Sequence, residues 1–406
     1  RFEHSLGVFG TTQWFVTSLL GRSAFRDAAT REDLMTVLAA GLLHDLGHYP
    51  FAHSLEALHL KGRQTPTHEE VGGQIMAGEL EGLRGEEPIG ALLRRDWGVD
   101  HERVMRLCTG ELGAEATQMD RVLKTIISGA IDADKMDYLE RDSHHMGVPY
   151  GRHYDRQRLL ASLTLNGAED GIAIEAKGKV SAEMFIFSRY TMFSEAYWHH
   201  TVRAASAMVE RALEAFLSRS EYSPQEQLGF LLAHDDDRLL EWLCDQTPPS
   251  SATNHLLRGM TRNRRRLYKR VVTLSRVYVD PEKLDAYDRI YRMDASAYHS
   301  LTANLRIAIS SALGQTLHPA DLILDTPPRD KDKLETIDVL FPGARGTGSA
   351  NYAPLHELSK IVAGIQNDFI RVVKKIRVFA SARVAEHIKA LPNIEELVLD
   401  EVRRAG

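Results

Sequence analysis

A pair of polar side chains inside an apolar segment is the feature that most constrains how this chain folds. Residues Asp33–Gly41 have the apolar content of a buried helix, and the run Leu42–His48 (LLHDLGH) continues it up to Pro50. A buried imidazole or carboxylate without a partner is costly, so His44 and Asp45 each need one. His44 and His48 are four residues apart and can project from one helical face. The pattern indicates either core histidines bonded to backbone carbonyls or ligands of a metal ion.

The composition limits what kind of metal site this chain can build. Cys108 and Cys244 are its only cysteines, which excludes a disulfide framework and a thiolate zinc site. Any metal would therefore be held by His and carboxylate side chains. Asp134, in a second polar segment at Ile131–Asp142, adds a carboxylate to His4, His44 and Asp45. These two imidazoles and two carboxylates suit Mn²⁺, Fe²⁺ or Zn²⁺, although sequence spacing leaves open whether they converge.

Length, charge and hydropathy indicate an ordinary globular protein. The 406 residues, 43% of them hydrophobic, correspond to two or three domains or to one large domain with appendages. No apolar run approaches the roughly 18 residues that span a bilayer, and no signal peptide opens the chain, so we expect a cytoplasmic protein without membrane contacts. The net charge of −6 argues against a general nucleic-acid coat. Because the chain begins at Arg1 within an apparent motif, we expect a further segment upstream.

Helical periodicity predominates along the chain. Thr67 and Glu70 fit a capping box that places His68 in the first turn of a helix. We predict a hairpin within Gly171–Val180, strands at 322–325, 336–341 and 369–373, and a loop at 343–354. The predicted fold is mainly α, a helical bundle core with a short β-hairpin and a smaller α+β C-terminal region. We divide it into a core at 1–218, a helical extension at 219–275, and a part for oligomerisation or regulation at 276–406.

Three stretches carry a resemblance to a known family. Arg1–Gly7 (RFEHSLG), His44–His48 (HDLGH) and Asp132–Tyr138 (DADKMDY), in this order, closely resemble the HD-domain phosphohydrolases. The match is most similar to the deoxynucleoside triphosphate (dNTP) triphosphohydrolases, which include the eukaryotic enzyme with a sterile-alpha motif and its bacterial relatives. Ala196–His200 (AYWHH) fits the same branch. The resemblance implies an HD-domain bundle and hydrolysis of a dNTP by attack of water at the α-phosphorus.

The resemblance also implies roles for individual residues. One divalent metal would be held by His4, His44, Asp45 and Asp134, and a Mg²⁺ ion would accompany the triphosphate. The positions that match triphosphate contacts are Arg1, His48, Lys135, Tyr138 and Arg189, whose side chains neutralise charge or donate hydrogen bonds. Asp142 matches the group that binds the sugar 3′-hydroxyl, and Tyr197 matches the ring that packs on the deoxyribose. Otherwise such cations are solvated surface residues and such a tyrosine belongs to the core.

The catalytic residues follow from the same resemblance. His53 and His68 match the catalytic histidines, and either one would protonate the 5′-oxygen of the leaving nucleoside. Glu56 stands where the family commonly has Asp and would orient an imidazolium. The products would be a deoxynucleoside and intact inorganic triphosphate.

The expected partners are a dNTP substrate, a nucleotide effector, and further copies of the chain in a dimer or tetramer. We interpret the basic run Arg262–Arg270 as a solvated face, and binding of nucleic acid there is the less favoured interpretation. Two alternative functions remain. One is an HD-type phosphodiesterase or phosphatase for another nucleotide, and the other is a nucleotide sensor without catalysis.

Overall fold

A computed structural model describes residues 1–59, 66–80, 87–217, 223–261, 265–277, 280–327, 337–341 and 351–405. Helices predominate in these residues and the strands form small sheets, which confirms the predicted fold class. The α-helices are α1 (Phe2–Leu20), α2 (Ser23–Ala28), α3 (Arg31–Leu43), α4 (Ala52–His59), α5 (His68–Ala77), α6 (Ile89–Leu92), α7 (His101–Thr109), α8 (Gln118–Ile127), α9 (Ala133–Met146), α10 (Arg156–Ala161), α11 (Lys179–Met192), α12 (His200–Leu217), α13 (Pro224–Leu232), α14 (Asp236–Gln246), α15 (Ala252–Arg258), α16 (Pro281–Arg292), α17 (Ala295–Leu313), α18 (Leu355–Leu358), α19 (Lys360–Val373), α20 (Ala385–Lys389) and α21 (Ile394–Arg404). The strands are β1 (Leu163–Leu165), β2 (Ile172–Glu175), β3 (Lys269–Ser275), β4 (Leu322–Asp325), β5 (Asp338–Phe341), β6 (Asn351–Pro354) and β7 (Lys375–Ala380).

The chain divides into two compact units, each assembled from segments that are distant in sequence. Unit 1 comprises Arg1–His48, Thr67–Met192 and Lys333–Asn367, and unit 2 comprises Tyr49–Pro66, Phe193–Asp332 and Asp368–Gly406. The boundaries that we placed at residues 218 and 275 divide the chain in sequence order, and they stay a prediction.

Helices α1, α3 and α9 form the part of unit 1 that carries the predicted metal ligands. Helix α1 buries Val8, Phe15 and Leu19 on one face and packs against both other helices. Helix α3 begins at a capping box in which the Thr30 hydroxyl accepts from the Asp33 amide while the Asp33 carboxylate accepts from the Thr30 amide. The capping box fixes the start of α3, and the apolar face of α1 packs against α3 and α9. Polar residues from these separate segments are thereby brought together.

The helix that we predicted to continue to Pro50 is shorter in the structure. Helix α3 ends at Leu43, and the chain from His44 onward turns through hydrogen bonds from Leu46 to Leu43 (3.0 Å) and from His48 to Asp45 (3.1 Å). The physical reason is Gly47, whose backbone lies directly against the first turns of α5. A continued helix would carry this segment away from α5. The capping box predicted at Thr67 is confirmed, and His68 is the first residue of α5.

A four-stranded sheet, in the order β1-β2-β5-β6, lies in unit 1. The hairpin predicted within Gly171–Val180 is wrong, because only Ile172–Glu175 of this stretch form a strand, β2, which pairs antiparallel with the preceding strand β1. The residues that we assigned to the other strand, Gly178–Val180, end a 3-10 turn and begin α11. Strand β5 pairs with β2 in parallel, with Val339 opposite Ile174. Residues near 340 therefore complete a sheet that begins near residue 163.

Unit 2 is built around the three-stranded antiparallel sheet β3-β7-β4. The strand predicted at 322–325 is confirmed as β4, whereas the strand predicted at 369–373 is wrong because these residues end α19. Phe369 and Val373 are four residues apart and both are buried, which is helical and not alternating periodicity. Of the loop predicted at 343–354, residues 351–354 form β6, and the rest lies outside the described residues. No helix in the described part of the chain has the length and apolarity that crossing a membrane requires.

Candidate metal centre

Four predicted ligands converge in unit 1 from three separate segments. His4 lies on the first turn of α1, His44 directly follows α3, Asp45 comes next, and Asp134 lies on the first turn of α9. The Nε2 atom of His4 is 3.2 Å from Asp134 Oδ1 and 3.7 Å from Asp45 Oδ2. The Nε2 atom of His44 is 3.3 Å from Asp45 Oδ1 and 3.6 Å from Asp134 Oδ1. Each imidazole Nε2 atom thus lies within 3.7 Å of an oxygen of both carboxylates.

Electrostatics within this cluster hold both carboxylates ionised. Burial disfavours the charged imidazolium of His4, but hydrogen bonds with Asp134 and Asp137 outweigh burial and raise its pKa to about 10. The pKa of His44 is raised by Asp134 and Asp45, again against the effect of burial. Although burial alone would raise the pKa values of Asp45 and Asp134, the neighbouring histidines hold both well below the ordinary value. The ionised carboxylates therefore stabilise positive charge at this position, whether it is carried by the imidazoles or by a bound cation.

The residues fit a divalent metal ion. His44 Nδ1 faces the backbone oxygen of Gly41 at 3.2 Å, which leaves Nε2 directed toward the carboxylates. That Nε2 atom is buried and makes no hydrogen bond of good geometry with any described residue. Nε2 of His4, Nε2 of His44 and a carboxylate oxygen of Asp134 are close enough to share one ion. Imidazole and carboxylate donors of this kind suit Mn²⁺, Fe²⁺ or Zn²⁺.

A second pair of imidazoles lies beside the four ligands. His48 Nδ1 is 3.2 Å from Asp45 Oδ1, and the His48 ring stacks on the His68 ring with 3.8 Å between centroids. Burial lowers the pKa of His48. The nearby His68 and Arg1 lower this pKa further, whereas the Asp45 carboxylate raises it by less than these three effects together lower it. The predicted phosphate contacts Arg1 and His48 and the predicted catalytic residue His68 are therefore close to the metal ligands.

Three further predicted phosphate contacts form a group of their own in unit 1. Lys135 follows the predicted ligand Asp134 on α9, and its ammonium group is paired with the fully buried carboxylate of Asp132. Arg189 lies near enough to Lys135 and Tyr138 to influence both of their pKa values. Burial raises the pKa of Tyr138 to about 12, so its hydroxyl is a proton donor at neutral pH.

The remaining predicted site residues are distributed over both units. Asp142 is half-buried near the end of α9 in unit 1. His53 is exposed on α4, and Tyr197 ends a π-helical turn against Phe193, both in unit 2. The side chain of Glu56 lies outside the described residues. The roles of all these residues stay predictions.

Sequence reasoning missed one contact of the cluster. Asp137, three residues after Asp134 on α9, hydrogen bonds through Oδ2 to Nδ1 of His4 at 2.7 Å. Arg141, one turn further on, donates to both Asp137 oxygens at 2.8 and 2.9 Å. Helical spacing places Asp137 near the face of Asp134, because residues three and four apart on a helix share a face, but it does not show which residue of α1 that face contacts.

Fold and centre together define a helical domain of the HD class. The HD domain model matches residues 1–142, and the model of the HD-associated region matches residues 154–404. The chain belongs to the family of HD-domain proteins with an HD-associated region. HD domains bind a divalent metal through His and Asp, which agrees with the groups assembled here.

Three proteins of known sequence are similar to this chain. The uncharacterized protein YwfO of Bacillus subtilis is 34% identical over 52% of this chain and 44% of its own length. The uncharacterized protein MJ1154 of Methanocaldococcus jannaschii is 30% identical over 96% of this chain and 76% of its own length. Human deoxynucleoside triphosphate triphosphohydrolase SAMHD1 is 27% identical over 55% of this chain and 37% of its own length. The chain thus spans less than half of the Bacillus and human proteins.

Proposed function

We propose that this protein is a metal-dependent phosphohydrolase that converts dNTPs to deoxynucleosides and inorganic triphosphate. The observation that carries the proposal is that the Nε2 atoms of His4 and His44 each lie 3.2–3.7 Å from an oxygen of both Asp45 and Asp134. The similarity to human SAMHD1, whose name states this activity, supports the substrate class. A divalent ion bound by these residues would polarise the phosphate and activate water for attack.

The side chains around the ligands suit a polyphosphate. Lys135 and Arg189 provide positive charge, and Tyr138 provides a hydroxyl that stays protonated at neutral pH. Arg1 is a further cation near His48. Positioned cations of this kind stabilise the charge that develops on phosphate oxygens during hydrolysis.

Departure of a nucleoside 5′-oxygen requires a proton donor. His68, stacked on His48 beside the ligands, and His53, on α4 of unit 2, are the two candidates for this role. A histidine suits it because its ordinary pKa is close to neutral pH. Replacing each histidine with Gln should lower kcat much more than it changes KM. The variant with the larger loss of kcat identifies the proton donor.

The products of hydrolysis test the proposal directly. The protein is incubated with each dNTP and NTP in a series of Mn²⁺, Mg²⁺, Fe²⁺ and Zn²⁺, and the products are separated by ion-exchange chromatography. Release of triphosphate in one piece is the expected result. Release of pyrophosphate or orthophosphate would assign a phosphodiesterase or phosphatase, and tight binding without turnover would assign a nucleotide sensor.

Asp134→Ala removes the carboxylate that lies near both imidazoles. We expect this variant to lose bound metal, measured by elemental analysis, together with turnover. Asp245→Ala, an exposed substitution on α14, serves as the control and should behave like the parent protein. Triphosphate release by Asp134→Ala at the parent rate would refute the assigned centre.

A further inference from the structure

The His4 imidazole is held by a carboxylate that is not one of the four ligands. Asp137 Oδ2 lies 2.7 Å from His4 Nδ1, and Asp137 is only 7% exposed. Because an ionised carboxylate only accepts hydrogen bonds, Nδ1 must carry the proton. The other nitrogen, Nε2, then points toward Asp45 and Asp134 with its lone pair available when the ring is neutral. A metal ligand needs this tautomer.

The Asp137 carboxylate is itself fixed on its other side. Arg141 donates from Nε to Oδ2 at 2.8 Å and from Nη2 to Oδ1 at 2.9 Å, a bidentate pair. Arg141 also reaches Glu3 Oε1 on α1 at 2.7 Å, next to His4 in sequence. A Cβ at Gly7 of α1 would overlap both the carboxylate and the guanidinium. The pair therefore fills the space between α1 and α9 where each helix provides a ligand.

We propose that Asp137, held by Arg141, is a positioning residue that fixes the tautomer and the orientation of His4 for metal binding. The inference rests on the proposed metal centre and deepens it. His44 differs, because its Nδ1 faces the backbone oxygen of Gly41, which no substitution removes. Asp137 is thus the point at which a side-chain substitution alters metal affinity without changing any ligand.

The expected effect is graded. Removing a hydrogen-bond partner of a metal-bound histidine typically costs about 10–100-fold in metal affinity. Asp137→Ala removes the acceptor, so we expect a loss toward the upper end of that range. Asp137→Asn keeps a neutral acceptor of the same shape, so its loss should fall at the lower end.

The test uses the full chain, stripped with a chelator and titrated with Mn²⁺, with free Mn²⁺ counted by electron paramagnetic resonance. Asp120→Asn is the matched control, because Asp120 forms the same kind of part-buried carboxylate–arginine pair with Arg103 at 2.8 Å, also in unit 1. We expect Asp120→Asn to lower the melting temperature and to leave the Mn²⁺ dissociation constant unchanged. Both Asp137 variants should raise that constant.

The outcomes separate the two proposals. If the parent protein binds Mn²⁺ and both Asp137 variants bind it equally well, the positioning role is wrong and the metal centre stands. If Asp120→Asn weakens binding as much as Asp137→Asn does, the effect is one of general stability and the positioning role is also wrong. If the parent chain binds no Mn²⁺ and, in equilibrium dialysis, no Fe²⁺ or Zn²⁺ either, the metal centre and the role of Asp137 fail together. Should Asp137→Ala not fold, Asp137→Asn decides.

Discussion

The backbone of Gly47 lies directly against α5 beside the candidate metal centre. A Cβ at this position would overlap the backbone of His68 and of Gly72 on α5. Backbone atoms cannot turn aside as a flexible side chain can. Gly47→Ala must therefore push α5, and with it His68, away from the segment that carries His44 and Asp45. We expect a loss of about 1–3 kcal/mol in the free energy of unfolding and weaker Mn²⁺ binding.

A second glycine in unit 1 provides the control for this experiment. Gly10 lies inside α1, and a Cβ there would meet nothing within 4 Å. Gly10→Ala should raise the free energy of unfolding by about 0.5–1 kcal/mol, since alanine loses less backbone entropy in a helix. Thermal unfolding followed by circular dichroism measures both variants. Equal stability of the two would contradict the close approach at Gly47.

At this scale the sequence indicated the ligand types but not their arrangement. Two histidines and two aspartates, in a chain with few cysteines, predicted a site of His and carboxylate side chains. His4, His44, Asp45 and Asp134 do lie together. The contact between Asp137 and His4 was beyond reach, because it depends on how α1 and α9 approach each other across 133 positions. Local spacing carries no information about such an approach.

Among the elements, α3, α7 and α8 are tied together by one guanidinium. Arg103 on α7 is paired with Asp33 on α3 and, at 2.8 Å, with Asp120 on α8. Removing one member of such a part-buried group leaves charges without partners, which typically lowers the free energy of unfolding by about 3–5 kcal/mol. We expect Arg103→Met to lose this much stability at pH 7 in chemical denaturation. Arg95→Met, at a fully exposed salt bridge, should change little.

The same group makes stability depend on pH in acid. Burial raises the pKa of Asp33 and Asp120, but hydrogen bonds from the Thr30 and Thr117 caps and from Arg103 outweigh it and lower both values. The unfolded carboxyls, with a pKa near 3.8, therefore take up protons before the folded ones do as the pH falls. The stabilisation is present above that value and is lost as the pH falls through the lower folded pKa values.

Arg103→Met should therefore lose less free energy of unfolding than the parent protein as the pH falls from 5 to 3. The unfolded and folded pKa values of the two carboxyls set this interval. Denaturation curves at pH 7, 5, 4 and 3 measure this slope. Identical slopes in the parent and the variant would show that the caps alone lower the two pKa values.

Element types followed from periodicity, and the errors occurred where one pattern fits two structures. The run Phe369–Val373 is rich in β-branched and aromatic residues, which favour strands, but it ends α19 because its buried residues lie four apart. The end of α3 at Leu43 depends on packing of Gly47 against α5, which no local signal reveals. By contrast, the cap at Thr67 is a local signal, and it was predicted correctly.

For the whole molecule, the parallel pairing of β2 with β5 makes unit 1 discontinuous in sequence. Tyr352 on β6 adds a hydrogen bond from its hydroxyl to the Leu165 oxygen at 3.1 Å. A chain ending at residue 332 lacks these partners, and a chain ending at residue 367 keeps them. Both lack the same part of unit 2, so they form a matched pair. We expect the β2 amides that face β5 to be protected from hydrogen exchange only in the longer chain, whereas the Glu175 amide, which donates to the Ser162 oxygen at 2.8 Å, should be protected in both.

The delay between β2 and β5 has a consequence during synthesis. Ile174 leaves the ribosome about 165 residues before its partner Val339, an interval of roughly 10–30 s at ordinary elongation rates. Throughout that interval the nascent hairpin has an open edge that can recruit a strand from a neighbouring polypeptide. We therefore expect the yield of native protein in a cell to depend on how well chaperones shield this edge until β5 has been translated.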